Sequence, residues 1–143
     1  MALPTHLQLQ IVSADRSLVD EQVDEVEIPG ADGYFGVLPG HTPLLAVLGT
    51  GELWYRKGPG DANKHYLSIS FGFAEVQPDR VTILAMIAEK ADEIDLARAE
   101  AAKKRAEERL SKPVVDMDFE RARIAMMKAL IRIQVASRAR IRA

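Results

Sequence analysis

The chain has 143 residues, a formal net charge of −2 and 48% hydrophobic residues, enough for one domain or a small domain with an appendage. The absence of cysteine excludes disulfides and thiolate metal sites. No apolar run approaches the roughly 20 residues of a membrane-spanning helix. The charge is uneven: residues 1–87 carry net −6, residues 88–117 net −1 and residues 118–143 net +5. An acidic front and a basic tail point to different partners at the two ends, with a solvated helix face as the plainer alternative. The stretch Met1–His6 lacks a basic segment followed by an apolar one, so no signal peptide is expected, and the default compartment is a reducing one.

His6 to Val12 alternates with a period of two, as a half-buried strand does. Val23, Val26 and Ile28 mark a second strand. Residues 28–44 then pack four glycines and three prolines between apolar runs, which specifies a series of rigid turns with no assigned partner. Leu44–Leu48 is a short, nearly continuous apolar run. Alternation resumes over Glu52–Lys57, residues 58–63 form a loop, and Lys64–Ser70 and Phe71–Val76 follow. Val81–Ile87 is the last strand and the most buried-looking. Short strands with Gly/Pro punctuation predict a sandwich or flattened barrel.

After residue 88 the composition changes to Ala, Glu, Lys and Arg, with neither Gly nor Pro as far as Lys112. A helix is expected over about 95–111, with Asp95 as its cap and a stripe of Ala99, Ala102, Ala106 and Leu110. Ser111–Asp116 is a break at Pro113. A second helix, about 118–140, carries Phe119, Ala122, Met126, Ala129, Ile133 and Ala136 at heptad spacing. The short connection predicts an antiparallel hairpin. Such a pair is marginal alone and must lie on the β part or on something else, which makes that choice a candidate switch. The expected division is 1–87 and 88–143.

No catalytic constellation emerges. The three histidines, His6, His41 and His65, are scattered through β structure, no His-Glu-x-x-His spacing exists, and no phosphate loop or nucleophile elbow is present. The expectation is no catalytic residue, no metal and no required cofactor. His41 in Pro39–Pro43 reads as a turn histidine bonded to local backbone.

The residues Ile28-Pro29-Gly30, Gly33, Gly36-Val37-Leu38-Pro39-Gly40-His41-Thr42-Pro43-Leu44, Ser70-Phe71-Gly72-Phe73-Ala74-Glu75-Val76 and Val81–Ala85 resemble the epsilon-subunit family of F-type ATP synthases across nearly the whole chain. The resemblance implies an α+β chain: a ten-stranded β-sandwich followed by a two-helix hairpin. It implies a non-catalytic central-stalk subunit of the proton-translocating enzyme, at the cytoplasmic side of the inner membrane and joined to the membrane only through the complex. The partners implied are the gamma subunit and the c-ring, through Ala31, Asp32, Gly33, Tyr34, Leu38 and His41. They are also the catalytic alpha and beta subunits, met by the extended, hydrolysis-inhibiting hairpin, with Arg121, Arg123, Lys128 and Arg132 as the implied contacts to the beta subunit. No nucleic acid is implied. The run Ile94-Asp95-Leu96-Ala97-Arg98-Ala99 matches the pattern by which some members bind ATP as a regulatory ligand. Glu89 lies at the family's distance, and Lys128 and Arg132 stand at basic positions, Lys128 where Arg is usual. The rival reading is a free-standing sandwich adaptor that self-associates through its hairpin.

Overall fold

A computed structural model describes residues 2–59, 61–112 and 118–142. The break around Pro113 and the side chains of Arg140 and Arg142 lie outside the described residues. Seven strands run in chain order: β1 (Leu7–Val12), β2 (Ser17–Val23), β3 (Glu25–Gly30), β4 (Gly33–Val37), β5 (Leu44–Arg56), β6 (Lys64–Gln77) and β7 (Arg80–Lys90). They form one sheet in the order β2-β1-β7-β6-β5-β3-β4. Neighbours are antiparallel except β1 and β7. One buried cluster joins Leu9 and Ile11 of β1 to Val26 and Ile28 of β3, strands far apart in that order. They meet because the sheet folds over itself, which makes it a sandwich.

Against the ten strands implied by the resemblance, the described residues form seven. The reason lies in the three long strands, whose inward alternation changes phase midway. In β5 it passes from Leu48 to Leu53 and Tyr55, in β6 from Leu67 and Ile69 to Ala74 and Val76, and in β7 from Ile83 and Ala85 to Ala88. Each long strand therefore serves where two shorter ones are implied. Phe71 and Gly72 make the change in β6, with φ of 61° and 124°. A side chain at Gly72 would meet the Leu84 carbonyl oxygen at 2.0 Å, so glycine is required there.

The strand β2 has no counterpart in the sequence reading. Its alternation is hidden because adjacent Leu18 and Val19 are both buried at the end of the sheet. The expectation that the final strand is the most buried is corrected. Leu84 is 53% and Met86 69% exposed, on the face opposite Val81, Ile83 and Ala85.

A 3-10 turn at Ala91–Glu93 leads to α1 (Leu96–Ser111). Asp95 caps it, its carboxylate accepting from the Arg98 N–H at 3.2 Å. The second helix, α2 (Phe119–Arg142), starts beside Asp118, which accepts from the Arg121 N–H at 3.0 Å. The helix α1 packs on α2, and α2 in turn packs on β5, β6 and the 3-10 turn. Ala99 and Ala106 of α1 are buried, as are Ala122, Ala129 and Ala136 of α2, all at seven-residue spacing. Alanines at such a seam let the helix axes approach closely while burying little area.

Candidate functional site

The outer face of β5, β6 and β7 is divided at the bend. Beyond it lie Leu45, Val47, Phe73, Leu84 and Met86, all more than half exposed. The register places Val47 beside Phe73 and Phe73 beside Leu84, and Val12 of β1 extends the row. This is a contiguous apolar strip on an uncovered sheet face.

Before the bend the same face is polar and covered by α2. Alternation turns Ser68 and Ser70 outward, since Leu67 and Ile69 are in the core, yet both serines are buried. Glu52 stands opposite Ser68 and is 7% exposed. Its carboxylate accepts from Gln134 Nε2 at 2.8 Å and from Arg138 Nε and Nη2 at 2.8 and 3.2 Å. Donating to Glu52 raises the Arg138 pKa further, and the guanidinium also lies 5.0 Å from the Tyr66 ring centroid. Arg132 Nε and Nη2 donate to the two Glu89 oxygens at 2.7 and 3.2 Å. Lys128 sits 5.4 Å above the Phe71 ring. Ile94, Val135 and Ala136 close the junction with a small buried cluster. Partly exposed charged contacts of this kind contribute on the order of 1 kcal/mol each, so the set holds the hairpin by a few kcal/mol.

The turn between β3 and β4 presents Ala31, Asp32 and Gly33, all exposed. Gly33 has a φ of 137°, open to glycine alone. Tyr34 is 54% exposed, but its hydroxyl folds back to accept from the Glu52 N–H at 3.1 Å. Its ring lies so close to the chain that a side chain at Gly51 would meet the hydroxyl at 2.4 Å. Leu38 is 56% exposed, and His41 Nδ1 donates to the Thr42 carbonyl oxygen at 2.6 Å, as the turn reading expects. Among the described residues no group of three His, Asp or Glu is placed to hold a metal.

Two family models match. One, described as ATP synthase, Delta/Epsilon chain, beta-sandwich domain, covers residues 6–91, and the other, the long alpha-helix domain of the same chain, covers residues 92–137. The chain belongs to the ATP synthase delta/epsilon family. It is 47% identical over 133 residues to "ATP synthase epsilon chain 2" of Syntrophotalea carbinolica, covering 92% of this chain and 94% of that one. It is 44% identical over 136 residues to the ATP synthase epsilon chain of Solibacter usitatus, covering 95% and 99%. Its fold matches a chain in the Euglena gracilis mitochondrial ATP synthase with a TM-score of 0.77 at 24% identity, covering 99% of this chain and 84% of that one.

Within this delta/epsilon chain the residues of the nucleotide pattern are only partly brought together. Glu89 and Arg132 bond to each other, so the guanidinium fork is filled from within. Asp95 caps α1, Arg98 is exposed, and Ile94 and Ala99 are buried. A cavity of about 460 Å³ opens between the sheet and the end of α2, lined by Tyr55, Tyr66, Lys90, Asp92 and Arg138 among others, and by none of the seven pattern residues. Of the four cations read as beta-subunit contacts, Arg121 and Arg123 are exposed, Arg123 pairing with Glu120, while Lys128 and Arg132 face the sandwich. The sequence reading missed Glu52 and Arg138. The available signal was an acidic residue inside a strand whose neighbours are apolar.

Proposed function

We propose that the chain is the non-catalytic central-stalk subunit of a proton-translocating F-type ATP synthase, with its sandwich docked to the gamma subunit and the c-ring. The observation that carries this reading is the exposed apolar strip of Leu45, Val47, Phe73, Leu84 and Met86. Strands that are apolar on both faces belong between two layers, and here the core supplies one layer only. A gamma subunit supplies the second. The named relatives, which are epsilon chains of this enzyme, support the assignment. The exposed turn Ala31–Tyr34 faces the c-ring in this reading, and Leu38 and His41 lie toward the stalk. Among the described residues no helix is long and apolar enough to cross a membrane. In this reading the chain has a peripheral seat, on the cytoplasmic side of the inner membrane, held there through the complex.

The hairpin is the regulatory part in this reading. Folded down, it lies on the polar half of the sheet. Extended, it offers its basic second helix to the alpha and beta subunits and restrains ATP hydrolysis. The adaptor alternative draws no support from the seam, because the buried alanines of α1 and α2 are already spent on each other.

Mixing the full chain with purified gamma subunit tests the docking: a tight one-to-one complex is expected by ultracentrifugation, from a chain that is monomeric alone. A self-associated chain with no affinity for gamma overturns the reading. Removing residues 92–143 is expected to leave the complex assembled and its ATP hydrolysis faster, and unchanged hydrolysis removes the inhibitory role.

A further inference from the structure

Among the described residues three are polar and buried, Glu52, Ser68 and Ser70; all three lie on the two strands that α2 packs on, and Glu52 bonds to the helix directly. Beside the small apolar cluster of Ile94, Val135 and Ala136, the helix covers groups that water satisfies as soon as it leaves, so departure strands no desolvated charge in a core. Arg138 keeps a 40% exposed side chain and lines the open cavity, so water and ions already reach it.

Glu52 is held at both ends. Its carboxylate takes Gln134 and Arg138 of the hairpin. Its backbone N–H donates to the Tyr34 hydroxyl, and Tyr34, in β4, directly follows the exposed turn residues Ala31, Asp32 and Gly33. The flanking contacts, Arg132 with Glu89 and Lys128 over Phe71, add grip but have no bond to that turn. We propose that Glu52 is the catch that holds the hairpin on the sandwich, and that Tyr34 ties this catch to the turn, so that a partner seated on the turn sets how readily the hairpin leaves.

The link is local and mechanical. Tyr34 lies across Gly51 with no room for a side chain between them, so a shift of the turn moves the backbone of Glu52. Displacing that backbone loosens the two-pronged grip on Arg138, whose geometry tolerates little movement. The bistable element is the hairpin, and the partner is the c-ring assigned to the turn above. The inference rests on that reading of the hairpin as a regulatory element.

The absence of native cysteine allows spin labels on cysteines introduced at Asp79 and Arg105, both exposed, in the full chain. Dipolar distance distributions then read the seated population directly. Both E52Q and R138Q are expected to raise the unseated fraction about tenfold, as loss of a charged hydrogen-bonding pair does. Y34F is expected to raise it about threefold in the native background and not at all on top of E52Q. An unchanged seated peak in both E52Q and R138Q overturns the catch. A Y34F effect that multiplies fully onto E52Q overturns the tie to the turn. Hydrolysis by the complex assembled with E52Q separates the two levels: unseating with unaltered hydrolysis leaves the catch standing and removes the inhibitory reading.

Discussion

The two halves of one sheet face are treated in opposite ways. The half beyond the bend is apolar and bare, with Val47, Phe73 and Leu84 in a row across three strands. The half before the bend carries Glu52, Ser68 and Ser70, and it is the covered one. Burial for its own sake would reverse this arrangement, since covering apolar area contributes about 25 cal/mol per Å² and covering a carboxylate costs free energy unless it is paired. The contrast makes sense if the covers differ in kind. In the proposed reading the apolar half awaits a partner that stays, and the polar half takes a cover that comes and goes, held largely by hydrogen bonds that water can replace.

The strongest way to break this comparison is to charge the apolar half. F73E with L84E is expected to weaken gamma binding at least about 1000-fold, or roughly 4 kcal/mol, because two carboxylates are then buried without partners. The isolated fold is expected to stay intact, as both side chains are exposed. Gamma affinity measured by titration with native-like values would show that the strip is not the seat.

The boundary between the halves can be tested next. G72A is expected to cost about 3 kcal/mol in denaturant unfolding, because the residue sits at φ 124° with the Leu84 carbonyl in the way. An alanine tolerated within 0.5 kcal/mol would mean that the strands can bend elsewhere, and the division of the face would lose its physical cause.

A smaller effect probes the covered half. Any nucleotide recruited by Glu89, Asp95, Arg98 and Arg132 must first displace Glu89 from the guanidinium fork of Arg132. E89Q is therefore expected to raise affinity for ATP about fivefold in calorimetry at millimolar Mg-free ATP, roughly 1 kcal/mol. Weaker binding in E89Q would make the carboxylate part of the site rather than its competitor.

Much of this was legible in the sequence, and the gaps have physical causes. Turn chemistry around Gly30–Gly40 and the loss of Gly and Pro after residue 88 expose the change from sheet to helices. Asp95 is legible as a cap because capping is local, three residues away from its donor. The strand count is not legible, because a strand that bends without stopping leaves no Gly-Pro punctuation. The exposure of Leu84 and Met86 is hidden too, since a run such as Val81–Ile87 looks the same whether its second face meets its own core or another chain. Glu52 and Arg138 lie 86 residues apart, and nothing local marks either as the other's partner.

The smallest expected effect concerns the loop after β5, which carboxylates of β2 and of the β2–β3 junction tie down. The Gly58 N–H donates to Asp24 at 2.6 Å, and together with His6 it lowers the Asp24 pKa. Burial pushes Glu21 upward, but hydrogen bonds from Lys57 and Tyr55 bring it below its ordinary value. The ion pair with Arg16 likewise lowers Glu93. A carboxylate whose pKa is lower in the folded chain stabilises the fold above its unfolded value. That contribution disappears as pH falls through the lowered one. Stability should therefore be flat near neutrality and decline below about pH 4. D24N keeps an acceptor for the Gly58 N–H but cannot titrate. Its unfolding free energy should fall less steeply than that of the native chain between about pH 4 and the onset of acid unfolding. Parallel curves for the two proteins would place the acid sensitivity elsewhere, with Glu93 and Glu21 the next carboxylates to neutralise.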